Sequence, residues 1–241
     1  MDNLLGEFLG TMFLIILGNG VVANVLLNKS KGQNGGWIVI TTGWAMAVMV
    51  GVFVAISAGA PQADINPAVT IGKWLILDVY TPGQAIMTML AEIAGAFTGA
   101  IIVFLAYYRH WEATDDPGLK LAVHSTAPAI RDTPWNFTTE LIGTMVLLIG
   151  VGAIFSGATD GSPAVGLGPY LVGALVWGIG LSLGGPTGYA INPARDLGPR
   201  IAHFLLPIAG KGDSDWGYGW IPVVAPLVGG VLGALVWRLV F

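Results

Sequence analysis

The chain reads as an all-α membrane protein: six transmembrane helices plus two re-entrant half-helices, arranged as an inverted repeat. Three observations carry that expectation. Of 241 residues, 54% are hydrophobic and only 10% charged, with a mean hydropathy of +0.74. A water-facing domain carries roughly 25% charged residues, so this surface faces lipid. The tripeptide Asn-Pro-Ala occurs twice, at Asn66-Pro67-Ala68 and Asn192-Pro193-Ala194, each time opening an apolar run too short to span a bilayer. Finally, Gly6-Glu7-Phe8-Leu9-Gly10-Thr11-Met12 repeats as Thr139-Glu140-Leu141-Ile142-Gly143-Thr144-Met145, an offset of 133 residues.

A spanning helix needs about 20 mostly apolar residues. Six stretches meet this: residues 4–27, 36–57, 84–108, 135–155, 167–184 and 219–240. The runs 66–77 and 192–206 each follow a Gly/Pro-rich break and read as half-helices. Residues 28–35 and 157–166 are short polar loops, and 109–134 is a long one holding most of the extramembrane charge. The whole chain, 1–241, reads as one channel domain: repeat one at about 1–108, a connection at 109–134, and repeat two at about 135–241. Three spans per repeat is an odd number, so the second repeat enters from the opposite face and the half-helices meet tip to tip near the midplane.

Composition also excludes. Without cysteine there is no disulfide, thiol nucleophile or Cys-based metal site, and His110, His124 and His203 stand too far apart for ligand spacing. No cofactor or metal is expected. A net charge of −4, spread out, gives no reason to expect a nucleic-acid partner. The first span starts with no basic flank or small-residue cleavage site, so a removable signal peptide is not expected. Lys29, Lys31, Arg109, Lys120 and Arg131 fall in loops that the positive-inside rule would make cytoplasmic.

Asn-Pro-Ala has a definite physical meaning. Asn is a preferred N-cap, and Pro at the first helical position pre-sets φ while removing a donor that would be orphaned anyway. An isolated copy reads as a capped core helix. Two copies in inverted repeats aim two positive helix ends at one point, repelling cations while the Asn amides donate to a passing oxygen. The segments before them, Gln62, Ala63, Asp64 and Ile65 in one half and Gly188, Ala190 and Ile191 in the other, offer backbone carbonyls as a ladder of acceptors. Arg195 is a charge deep in a membrane segment and therefore a functional candidate; an ion pair with Asp196 is the structural alternative.

Ile65-Asn66-Pro67-Ala68-Val69-Thr70 and the run from Gly188 through Asn192-Pro193-Ala194-Arg195-Asp196 to Arg200 resemble the two signatures of the major intrinsic proteins. The resemblance covers essentially the whole chain, and Asp196 is similar to the glycerol-facilitator branch. It implies an aquaporin-like right-handed six-span bundle, a homotetramer with one pore per subunit, residence in the cell membrane, and an orientation opposite to the one the loop charges suggest. It also implies a selectivity filter. Arg195 would supply donors to adjacent hydroxyls, Trp44 (otherwise read as a headgroup anchor) and Tyr189 the aromatic walls, and Gly180 the space for the second ring. Glu7 and Glu140 would accept backbone hydrogen bonds from the re-entrant loops; Glu92 has no assigned role.

Two positions depart from the family pattern. Tyr189 stands where glycerol facilitators usually have Phe, adding bulk and a polar tip that would shift the solute range toward water or short polar solutes. Asp64 stands where the family usually has His; it would attract cations, take a proton and make conductance pH-sensitive, pair with Lys73, or cap the half-helix. The function implied is passive passage of glycerol and other small uncharged solutes, water included, across the bilayer with protons and cations excluded. Alternatives are a water-selective channel, a channel for small neutral acids such as lactic acid, and, from another class, a proton-coupled transporter using Glu7, Glu140 or Asp64. No nucleophile, acid/base pair or metal set converges, so an enzyme is not expected.

Overall fold

The computed structural model describes residues 3–157, 163, 164 and 166–241. Most of the expected 157–166 loop, at 158–162 and 165, lies outside the described residues, as do residues 1 and 2. Eleven helices and no strand occur among the described residues. Repeat one contributes α1 (Leu4–Leu26), α2 (Trp37–Ser57), the half-helix α3 (Pro67–Leu75) and α4 (Pro82–Ala106). Repeat two contributes α7 (Thr133–Phe155), α8 (Gly168–Leu183), the half-helix α9 (Pro193–Leu205) and, after the single turn α10 (Trp216–Gly219), α11 (Ile221–Val240). α5 (Tyr108–Glu112) and α6 (Pro117–His124) lie between the repeats.

Four of the starts have a clear local cause. Asn66 Oδ1 accepts the Ala68 N–H at 2.9 Å, and Asn192 Oδ1 accepts those of Ala194 at 2.9 Å and Arg195 at 3.2 Å. Pro follows each Asn at the first helical position, so both half-helices begin abruptly. Thr81 and Gln84 form a capping box at α4. Asp132 caps α7 through the Trp135 N–H.

The two repeats pack alike. α1 lies against α2 and α4, and α7 lies against α8 and α11. The half-helices cross over: α3 seats on α11, and α9 on α4. Glycines set how closely the helices seat, α3 on α11 and α4 on α1. A Cβ on Gly230 would lie 2.1 Å from the Ala68 carbonyl oxygen, and one on Gly95 would lie 2.1 Å from that of Phe8. Neither neighbour is a flexible side chain, so only glycine permits these approaches. Leu90, Leu105, Ile38 and Leu239 point outward and are exposed, as a lipid-facing surface requires.

The structure departs from the sequence expectation in the 109–134 connection, which is not an irregular loop. Asp116 accepts the Gly118 N–H at 2.7 Å and Pro117 opens α6. Trp111 is buried and donates from Nε1 to the Phe104 carbonyl at 3.0 Å. Its charges are spent locally: Lys120 Nζ donates to the Ala209 carbonyl, and Arg131 pairs with Asp215 at 2.5 Å. The segment is thus a cover packed on the bundle, close to α9 and α1.

Candidate functional site

The chain entering each half-helix holds non-glycine residues with left-handed φ: Ala63 (42°) and Ile65 (44°) in one half, Tyr189 (39°) and Ile191 (44°) in the other. β-Branched Ile rarely adopts this region, and such a residue costs about 1–3 kcal/mol unless its surroundings impose it. The imposing groups are two buried carboxylates. Glu7 accepts the Asp64 and Ile65 N–H groups at 3.0 and 2.8 Å. Glu140 accepts those of Ala190 and Ile191 at 3.0 and 2.9 Å. With their N–H groups turned to the scaffold, these residues present carbonyls on the opposite side.

At the centre the two motifs clasp one another. Asn66 Nδ2 donates to the Ile191 carbonyl at 2.9 Å, and Asn192 Nδ2 to the Ile65 carbonyl at 2.8 Å. Each amide has one further proton, and both Asn side chains line a cavity of about 490 Å³. Three carbonyls of the expected ladder are taken: those of Ile65 and Ile191 by the Asn amides, and that of Gln62 by Lys73 Nζ at 3.3 Å. Those of Ala63, Asp64, Gly188 and Ala190 accept from no protein donor among the described residues.

Arg195 lies in the first turn of α9 and Lys73 in the last turn of α3, and each holds its own cluster of contacts. The Arg195 guanidinium lies 4.3 Å from the Trp44 ring centroid, and one nitrogen donates to the His124 carbonyl at 3.2 Å. Asp196 is not its partner: that carboxylate pairs with Arg200 at 2.7 Å. Arg195 therefore keeps donors facing the cavity, which it lines together with Trp44 and Tyr189.

Tyr189 is held as a wall. A Cβ on Gly180 would fall 2.8 Å from its Cζ, and one on Gly184 2.5 Å from its Cδ1. Trp37, which sequence reasoning missed, meets the ring edge-on at 5.8 Å and donates from Nε1 to the Gly180 carbonyl at 3.0 Å. Its signal was there: Trp37 precedes Trp44 by two helical turns on one face. The Tyr189 hydroxyl is buried beside Gly180 with no protein partner, so the wall that Tyr189 offers is its ring. Gly180→Ala forces the ring to move, an overpacking of about 1–3 kcal/mol. We expect glycerol permeability to fall by about tenfold relative to water, read by stopped-flow light scattering; an unchanged ratio would show that the ring has room elsewhere.

In the Lys73 cluster Asp64 is fully engaged: it pairs with Lys73 and accepts from Tyr80 Oη at 2.8 Å and Thr70 Oγ1 at 2.9 Å. Of the contacts open to Asp64 in the sequence, the ion pair with Lys73 is present, and the cap of the half-helix comes from Asn66 instead. Lys73 also donates to Gln62 Oε1 at 3.0 Å. No group of three or more His, Asp or Glu able to hold a metal occurs among the described residues.

The chain matches the family described as "Major intrinsic protein" over residues 1–237. It is 57% identical to "Probable glycerol uptake facilitator protein" of Thermotoga maritima, with 100% of both chains covered. It is 53% identical to "Glycerol uptake facilitator protein 3" of Lactiplantibacillus plantarum, covering 98% of this chain and 95% of that one. Among solved structures it is similar to the aquaglyceroporin from Plasmodium falciparum, with a TM-score of 0.86 and 29% identity over 99% of this chain and 96% of that one. With the family matched along nearly the full length of the chain, and a close relative covered end to end, this chain belongs to the major intrinsic proteins.

Proposed function

We propose that the protein is a passive transmembrane channel for glycerol and other small uncharged solutes, water among them, that excludes protons and cations. The observation that carries this reading is the slot at Arg195. The Arg195 guanidinium, seated over the Trp44 ring, offers donors, and the Trp44 and Tyr189 rings supply apolar surface to the same cavity. A polyol has both kinds of surface, with hydroxyls along one edge and C–H groups along the other. The relatives named as glycerol uptake facilitators support the same solute class. Beyond the slot, the solute exchanges hydrogen bonds with the free carbonyls and the two Asn amides, so that no single site holds it tightly. The chemistry is transport: nothing in the pathway needs a cofactor or an energy source. We further propose a homotetramer with one pore per subunit in the cell membrane, in keeping with the outward apolar surface.

Stopped-flow light scattering on proteoliposomes, with water and glycerol gradients on one preparation, tests this directly. Rapid reswelling in glycerol after the water-driven shrinkage is the expected result. Water flux alone would replace the reading with a water-selective channel, and solute accumulation driven by a proton gradient would replace it with a coupled transporter.

A further inference from the structure

Glu92, on α4, is fully buried and does not line the cavity, yet it belongs to the machinery around the first motif. Its Oε1 accepts the Asn66 backbone N–H at 3.0 Å and lies 2.9 Å from Thr70 Oγ1. Thr70 Oγ1 is also 2.9 Å from Asp64 Oδ2. A threonine hydroxyl has one proton, so it can donate to only one of two carboxylate oxygens at that distance. The second contact needs a proton of its own.

The surroundings decide where that proton sits. Asp64 takes the Lys73 ammonium on one oxygen and the Tyr80 hydroxyl on the other, which favours its ionised form. Glu7 accepts two backbone N–H groups, which also suits a carboxylate. Glu92 has no cation, and its Oε2 has no donor at all. An ionised Glu92 would leave a buried, charged oxygen without a partner beside two other carboxylates. A neutral acid removes the charge and leaves Oε2 a carbonyl oxygen, whose burial without a donor costs far less than that of a charged one.

We propose that Glu92 is a positioning residue for Asn66 and is held as a neutral carboxylic acid. Its Oε1–H donates to Thr70, Thr70 donates to Asp64, and the same Oε1 accepts the Asn66 N–H. A single oxygen that both donates and accepts is needed here, and neither a carboxylate nor an amide provides one. The arrangement has no copy in the second repeat. Gly95 and Gly229 approach the matching carbonyls of Phe8 and Leu141, and on that register the position equivalent to Glu92 is Pro226. The groups facing Glu92 are Glu7 from α1, Asp64 and Tyr80 from the flanking loops, and Thr70 with Lys73 beyond it from α3. Glu92 itself does not line the cavity, and it reaches the cavity-lining Asp64 only through Thr70.

Infrared spectroscopy of the full-length channel in bilayers tests this without measuring transport, so its outcome is separate from that of the permeation reading. The expected result at neutral pH is an un-ionised carboxyl C=O stretch that is absent in Glu92→Gln and shifted in Thr70→Val, where the acid loses its acceptor. The band should persist across the pH range of the permeability assay. A wild-type minus Glu92→Gln difference containing only ionised carboxylate stretches would overturn the proposal. Should Glu92→Gln fail to fold into bilayers, Thr70→Val decides alone: a shifted acid band supports the assignment, and an unmoved one refutes it.

Discussion

Arg200→Leu is expected to destabilise the protein by about 3–5 kcal/mol, the cost of removing one partner from a fully buried ion pair. Neither Arg200 nor Asp196 has any solvent exposure. The guanidinium donates to Asp196 through Nε at 2.7 Å and through a terminal nitrogen at 3.0 Å, and also reaches the Ser214 and Thr126 carbonyls at 2.7 and 2.8 Å. Asp196 in turn accepts the Thr126 N–H and hydroxyl at 2.8 and 2.7 Å. The pair therefore binds the cover segment after α6 and the chain before α10 to α9, a few residues from Arg195. Leucine fills part of the volume but strands the carboxylate. Asp196→Asn combined with Arg200→Leu should recover part of the loss, because no charge then remains to be paired. Thermal unfolding of the purified protein, run as a double-mutant cycle, reads both values; a double variant no more stable than Arg200→Leu would place the loss in packing and not in charge.

That network shows where the sequence was legible and where it was not. Asp196 and Arg200 stand four apart on one helix, the spacing at which ion pairs form, but adjacency favoured Arg195 as the structural alternative. The partner could be settled only by knowing which side chain faces the cavity. The half-helix starts were legible because Asn-Pro dictates a cap chemically, whatever packs around it. The left-handed turns at Ala63, Ile65, Tyr189 and Ile191 were not, because nothing local favours them. They exist because Glu7 and Glu140, more than fifty residues away in sequence in one case and about fifty in the other, bind their N–H groups. The cover helices α5 and α6 were hidden by the charges of the 109–134 segment, although Asp116-Pro117 is a helix start by the same logic as Asn66-Pro67. Asp64 and Lys73 were recognised as possible partners, but Tyr80, Thr70 and Glu92, which complete the cluster, come from three separate parts of the chain.

The second large effect concerns Arg195, whose charge and whose shape do different work. A unit charge opposes a cation about 4 Å away by roughly 4 kcal/mol at the effective dielectric of a protein surface, or up to about three orders of magnitude in permeation. Arg195→Ala is therefore expected to raise proton and small-cation leak toward that limit, damped by the two positive half-helix ends that remain at Asn66 and Asn192. It also removes the donors that order a polyol against Trp44 and Tyr189, so the preference for glycerol over uncharged solutes of similar size should weaken. Arg195→Lys separates the two contributions. The ammonium keeps the charge, so the leak stays low, but it lacks the planar fork that donates to the His124 carbonyl while lying over the Trp44 ring. Solute discrimination should then fall without a matching rise in ion flux. A pH-sensitive dye trapped in proteoliposomes, read alongside glycerol reswelling on the same vesicles, measures both. If Arg195→Ala leaks no more than the wild type, the clasped Asn pair alone is the cation barrier, and the guanidinium serves solute choice only.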